Sequence, residues 1–146
     1  NQQSDSVLIL SEQSVYNLRI VLLNQLKQPV DTVSNEVKEE GDAHMVFFNP
    51  ETAQQISLQP RVVSLQPLPI YLRYNDYDQS ASKWPIGLHS TLYPKSKTTT
   101  SGVFKIVLKH QPNVKSGTFT PGETDLEVVF QPCRATETGC RSNRFG

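Results

Sequence analysis

Apolar and polar residues alternate along most of this chain, the period-two signature of strands whose side chains point to opposite faces. Over 15–23 the even positions Tyr16, Leu18, Ile20 and Leu22 share one side, while the other mixes Asn17 and Arg19 with Val15, Val21 and Leu23. That pattern predicts a strand buried on one face and partly covered on the other. Over 68–74, Leu68, Ile70, Leu72 and Tyr74 are expected inward and Arg73 outward. Over 103–110, Phe104, Ile106 and Leu108 oppose Lys105 and Lys109, and over 125–131, Leu126, Val128 and Phe130 oppose Asp125 and Glu127. Shorter strands are expected at 7–10, 45–48, 56–58, 61–65 and 86–92.

Proline-bearing turn signals separate these runs: Gln28-Pro29, Asn49-Pro50, Gln66-Pro67, Trp84-Pro85, Tyr93-Pro94, Gln111-Pro112 and Pro121-Gly122. Asn49-Pro50-Glu51 has the chemistry of a helix start, with room for at most a short turn. Residues 31–42 read equally as a loop or a short helix, since Val30, Val33 and Val37 are spaced three and four apart. Seven to nine short strands with frequent turns predict an all-β fold, an immunoglobulin-like antiparallel two-sheet sandwich forming one domain over 1–146. The cysteine–tryptophan–cysteine spacing of antibody domains is absent, so only the architecture is expected. The last two long strands read as a hairpin, with Lys105 and Lys109 across from Asp125 and Glu127.

Composition fits that picture. The 146 residues are 36% hydrophobic, and ten prolines outnumber seven glycines, which suits short strands and turns rather than helices. The formal net charge is zero, and the lysines are not interleaved with stacking aromatics, so nucleic acid is not an expected partner. No run approaches the roughly 18 apolar residues of a membrane-spanning helix. The first residue, Asn1, leads to the expectation of a processed product or an excised domain, removal of a signal peptide being the simplest account. Cys133 and Cys140 lie close together in Phe-Gln-Pro-Cys-Arg-Ala-Thr-Glu-Thr-Gly-Cys, and a disulfide, a metal pair and a redox pair compete there. Zinc sites want ligands two to four residues apart plus a second pair, and His44, His89 and His110 are scattered along the chain. A redox pair wants two intervening residues beside a βαβ pattern. A structural disulfide closing a C-terminal loop is the expectation, stabilising by roughly 2–3 kcal/mol and implying an oxidising compartment.

Charge is unevenly distributed. Residues 31–51 carry six acids and one base, Lys38; residues 79–122 carry six lysines and no acid. Those lysines, Lys83, Lys95, Lys97, Lys105, Lys109 and Lys115, read as a solvated surface or as a basic face for an acidic partner. The most unusual stretch is 74–84, which holds the only tryptophan beside two tyrosines and two aspartates. Tyr74, Asn75, Asp76, Tyr77, Asp78 and Trp84 make it a candidate carbohydrate-binding loop, since sugar faces stack on aromatics and hydroxyls need acceptors. The same carboxylates suit calcium, although no twelve-residue calcium loop is present. The competing reading makes Tyr74 and Trp84 core residues flanking a polar tip. No nucleophile elbow, phosphate-cradling loop or His-Glu-x-x-His motif occurs, and Asp76 and Asp78 are too close in sequence to flank a glycosidic bond. Neither an enzyme nor a cofactor is expected.

The stretch 116–130, Ser-Gly-Thr-Phe-Thr-Pro-Gly-Glu-Thr-Asp-Leu-Glu-Val-Val-Phe, resembles the closing strands of bacterial fimbrial subunits of the chaperone–usher type. With the preceding strand the resemblance covers about the last third of the chain. It implies export to the periplasm, cell surface or extracellular space, assembly through donated strands, and adhesion to a host protein or glycan. Two features depart from that family: its disulfide commonly joins early strands, and an alternating N-terminal donor segment is not evident in 1–14. The run Phe130-Gln-Pro-Cys to Cys140 is also similar to the redox hairpin in the immunoglobulin-like periplasmic domain of thiol–disulfide reductases. There a strand continues past the second cysteine, whereas only Arg-Ser-Asn-Arg-Phe-Gly follows here.

Overall fold

A computed structural model of the chain describes residues 2–8, 10–96 and 103–132. The strands are β1 (Gln2–Leu8), β2 (Tyr16–Arg19), β3 (Leu23–Asn24), β4 (Asp31–Thr32), β5 (His44–Phe48) and β6 (Gln54–Ser57). They continue as β7 (Val62–Ser64), β8 (Ile70–Tyr74), β9 (His89–Pro94), β10 (Phe104–His110) and β11 (Glu123–Pro132), and one helix, α1 (Val33–Glu39), precedes β5. Two main sheets result, one ordered β1-β11-β10-β5 and the other β2-β9-β8-β7-β6, with a small third sheet pairing β3 and β4. The all-β, sandwich-like fold expected from the alternation is what forms, with nine strands in the two main layers among the described residues. The other pairings in the two main sheets are antiparallel. Among the described strands β1 alone lies parallel to its neighbour, β11, through Gln2↔Val128, Gln3↔Val129, Val7↔Gln131 and Leu8↔Pro132, with an irregularity between Gln3 and Val7. The 31–42 ambiguity resolves as α1 followed by a 3-10 turn, Gly41–Ala43.

The facing sides of the two sheets form one core. Phe48, Phe104, Ile70, Leu72 and Tyr74 are all within 5% of full burial. Phe48 stacks on Phe104 within its own sheet at 5.9 Å and meets Tyr74 of the opposite sheet at 5.8 Å. The backbone also joins the layers: the Tyr74 hydroxyl donates to the Val46 carbonyl at 2.9 Å. The hairpin of β10 and β11 forms as read, with Phe104↔Phe130, Ile106↔Val128 and Leu108↔Leu126 in register.

Two expectations about outer faces need correction. In the 15–23 run, Tyr16, Leu18, Ile20 and Leu22 do turn inward, but Val15, Val21 and Leu23 are 63%, 51% and 52% exposed rather than partly covered. On β10 the side carrying Lys105 and Lys109 was expected in solvent, yet Val107 between them is fully buried. The 111–122 connection covers that side, with Phe119 packed edge-on against Phe47 at 5.4 Å. Alternation fixes which side chains share a face and leaves open what lies over that face.

Asn49 forms a tie between separate segments. Its backbone sits at φ 45, a left-handed conformation that asparagine tolerates better than most residues. Its Nδ2 donates to the Leu65 carbonyl at 3.0 Å, and its Oδ1 accepts from the Lys105 backbone N–H at 2.7 Å. The Asn-Pro-Glu segment thus makes a single hydrogen-bonded turn rather than a helix, closed by Ala53 N–H donating to the Asn49 carbonyl. Asn49→Ala is expected to cost about 2 kcal/mol in urea unfolding, because two backbone groups lose their partners.

Candidate functional site

The loop 74–84 is built around its two carboxylates. Asp76 accepts from the backbone N–H groups of Gly87 and Leu88 at 2.8 and 2.9 Å. Asp78 is 2% exposed, and its Oδ1 accepts from the Ser80 N–H at 3.0 Å, the Ser80 hydroxyl at 2.5 Å and the Trp84 N–H at 3.2 Å. Its Oδ2 accepts no well-aligned hydrogen bond; the charge there is balanced by the Lys115 ammonium at 2.9 Å, with side chains 3% and 1% exposed. Lys115 also donates to the Gly41 carbonyl at 2.7 Å. One buried ion pair therefore joins the 74–84 loop, the β10–β11 connection and the turn after α1. Burial pushes the Asp78 carboxyl up, but the Ser80 hydrogen bonds and the Lys115 ammonium outweigh it, so Asp78 titrates below the usual carboxylate range. Burial dominates at Lys115 and holds its ammonium below the ordinary lysine value despite Asp78.

The aromatics of this loop are similarly engaged. Tyr74 is 5% exposed and belongs to the core; burial, with a smaller contribution from the Asp76 charge, raises its hydroxyl far above the ordinary tyrosine range. The Tyr77 hydroxyl donates to the Tyr74 carbonyl at 3.0 Å. The Arg61 guanidinium lies 4.3 Å over the Trp84 ring. Gly117, at φ +77, presses so close to that ring that a Cβ there would come within 2.6 Å of it. A sugar seeking to stack on Trp84 would have to displace Arg61. The Asn75 amide donates to the Thr91 hydroxyl at 2.7 Å and accepts from Arg73 at 3.1 Å. The competing reading of this loop, aromatic supports around a polar tip, describes the geometry better than a set of free ligand groups. Beside it opens a cleft of about 450 Å³ lined in part by Lys38, Asp42, Asp76, Tyr77, Ser80 and His89.

The five candidate lysines among the described residues do not assemble into a basic face. Lys97 lies outside the described residues. Lys83 and Lys95 are exposed, and Lys95 stands 5.0 Å from the Tyr71 ring. Lys105 pairs with Glu51 at 3.2 Å and Glu127 at 3.5 Å. Lys109 is 5% exposed, donates to the Gly122 carbonyl at 3.1 Å and lies 4.8 Å from the Phe119 ring. Lys115 is the buried counter-ion of Asp78. Lys105, Lys109 and Lys115 are thus taken up by partners within the fold, while Lys83 and Lys95 stay exposed.

Sequence reasoning missed a different cluster. His44 and His110, read as scattered, face each other across the antiparallel β5–β10 pair. Their rings stack with centroids 4.7 Å apart and planes 12° apart. They continue the inward rows Phe48–Val46 and Ile106–Leu108 to the end of the core, where α1 closes over it. Glu40, just after α1, and Asp125, on β11, stand beside them, with Asp125 Oδ2 3.8 Å from His44 Nε2. The ladder explains Asp125: Leu108 pairs with Leu126 but Lys109 with Thr124, so Asp125 is the extra residue of a β-bulge. Bulges re-aim a side chain, and this one turns toward His44 instead of joining Glu127 beside Lys105. The available signal was that each histidine ends a strand whose other inward residues are apolar. An open groove of about 520 Å³ leads from this cluster past Leu22, Val37, Leu108 and Leu126.

Cys133 and Cys140, and with them the expected disulfide and the redox alternative, lie outside the described residues. No protein-family model matches the chain, and no curated protein or solved structure proved similar to it.

Proposed function

We propose that this chain is a non-enzymatic, exported binding and assembly module, most concretely a fimbrial-type subunit or adhesin that works through the β11 edge of its sandwich. The observation that carries the reading is the seating of β1. It joins the C-terminal strand in parallel, at two pairs of positions separated by an irregularity, so the edge is completed by a segment held at its ends and poorly registered between them. Half-buried apolar side chains at Tyr16, Leu18, Ile20 and Leu22 on one side, and at Leu126 and Phe130 on the other, pack at the margin of the core. This is the setting in which an added strand gains affinity from backbone hydrogen bonds and register from side-chain pockets. The exposed Val15, Val21 and Leu23 add apolar surface beside it. The strand orders, with the last hairpin beside β5 and β2-β9-β8 opposite, support an immunoglobulin-like assignment. A disulfide between Cys133 and Cys140 belongs to the same reading. In the adhesin version the cleft beside the 74–84 loop, lined by Asp76, Tyr77, Ser80 and His89 as well as Ile86 and Leu88, receives a host glycan.

Deleting residues 1–9 tests the proposal. The truncated chain is expected to lose about 2 kcal/mol, from several backbone hydrogen bonds worth roughly 0.5–1.5 kcal/mol each. A synthetic peptide of residues 1–10 is expected to restore that stability in trans, read by urea unfolding. A truncated chain as stable as its parent and indifferent to the peptide would remove strand addition at β11 from consideration.

A further inference from the structure

We infer that His44, His110 and Glu40, with Asp125 alongside, form a binding site for a divalent transition metal of the nitrogen- and oxygen-preferring kind, zinc being the best match. One ligand atom from each of Glu40, His44 and His110 lies within 4.8 Å of the others. Zinc bonds of about 2.0–2.1 Å place tetrahedral ligand atoms about 3.4 Å apart. Closing the site therefore asks the ligand atoms to approach by about 1 Å and the His110 ring to rotate out of its stack on His44, so that the two in-plane lone pairs converge. Glu40 is exposed and His110 half-buried, whereas His44 is buried and fixed.

The fixed histidine is prepared for the role. Its Nδ1 lies 3.1 Å from the Glu40 carbonyl oxygen and 4.0 Å from the Glu40 carboxylate. A proton assigned to Nδ1 donates to the carbonyl and leaves the Nε2 lone pair available, so Glu40 must swing its carboxylate past the ring edge to share an ion held at Nε2. A ring N–H donated to a backbone carbonyl is the usual support of a metal-bound histidine. Nε2 in turn faces Asp125 at 3.8 Å, an exposed residue that the bulge turns toward the histidine. Two imidazoles and one or two carboxylates make a donor set suited to zinc, and less suited to calcium or magnesium, which prefer oxygen throughout. The four residues come from the end of α1, β5, β10 and β11, so a bound ion would clasp the helix to the four-stranded sheet.

The competing explanation is that the histidines merely stack and fill the end of the core. Titration with zinc chloride, followed by calorimetry and thermal unfolding, separates the two. It is done on the full chain carrying Cys133→Ser and Cys140→Ser, so that thiols contribute nothing. Binding of one zinc is expected, raising the folding equilibrium constant about a hundredfold when free zinc is a hundred times Kd. Cobalt substituted for zinc should give the visible absorption of a four-coordinate nitrogen–oxygen site. H110Q and E40Q should each weaken binding at least tenfold; E40Q alters an exposed side chain, so its effect cannot be ascribed to misfolding. Equal zinc affinity in H110Q and the parent, or no zinc response in the parent, overturns the site.

Discussion

Asp78→Ala is expected to remove about 3–5 kcal/mol of stability, the usual consequence of leaving one partner of a buried ion pair behind. The Lys115 ammonium would keep only the Gly41 carbonyl as a close partner while remaining 3% exposed. Lys115→Met should cost less, because Asp78 Oδ1 retains its donors from Ser80 and Trp84. Asp78→Asn combined with Lys115→Met should recover part of the loss, since neither residue then carries a buried charge. Urea unfolding of the three variants checks this order, and a cost below about 1 kcal/mol for Asp78→Ala would count against a structural role for the pair. The pH dependence has a definite sign. The folded-state carboxyl titrates below its unfolded value, so the unfolded chain takes up the proton first as the solution is acidified. The stability due to Asp78 is fully present above the ordinary aspartate value of about 3.9 and is lost as pH falls from there through the folded-state value. Asp78→Asn should lack that part of the acid transition.

The ion pair also shows where local sequence stops being informative. The 74–84 stretch announced itself by composition, but the partner that neutralises Asp78 lies in the connection between β10 and β11, and nothing near Asp78 identifies it. Lys109 and Lys115 were read with their neighbours as surface charge because lysine is seldom buried. Folding instead placed Phe119 beside one and Asp78 against the other. The strands were legible because alternation is a property of consecutive residues. The histidine cluster depended on the register of β5 against β10 and on a one-residue bulge at Asp125, both set by pairing between distant segments. The parallel seating of β1 was hidden for the same reason, since 1–14 carries no alternating apolar pattern to mark its edge.

Phe48→Ala is expected to cost about 3–5 kcal/mol, comparable to the ion pair and by a wholly different mechanism. Phe48 is 2% exposed and is the residue of β5 that meets both Phe104 beside it and Tyr74 across the core. Truncation loses its transfer free energy and opens a cavity between two sheets that cannot close over it, because the Tyr74 hydroxyl bond to Val46 holds them at their spacing. Phe48→Leu keeps most of the volume and should lose only about 1–1.5 kcal/mol. The denaturant slope should be unchanged in both variants if the loss is confined to packing. With a total stability of about 5–15 kcal/mol for a domain of ordinary size, the alanine variant should show a large drop in midpoint. A drop of less than about 1 kcal/mol would mean that the two sheets do not share this aromatic contact, and the sandwich would have to be redrawn around a different core.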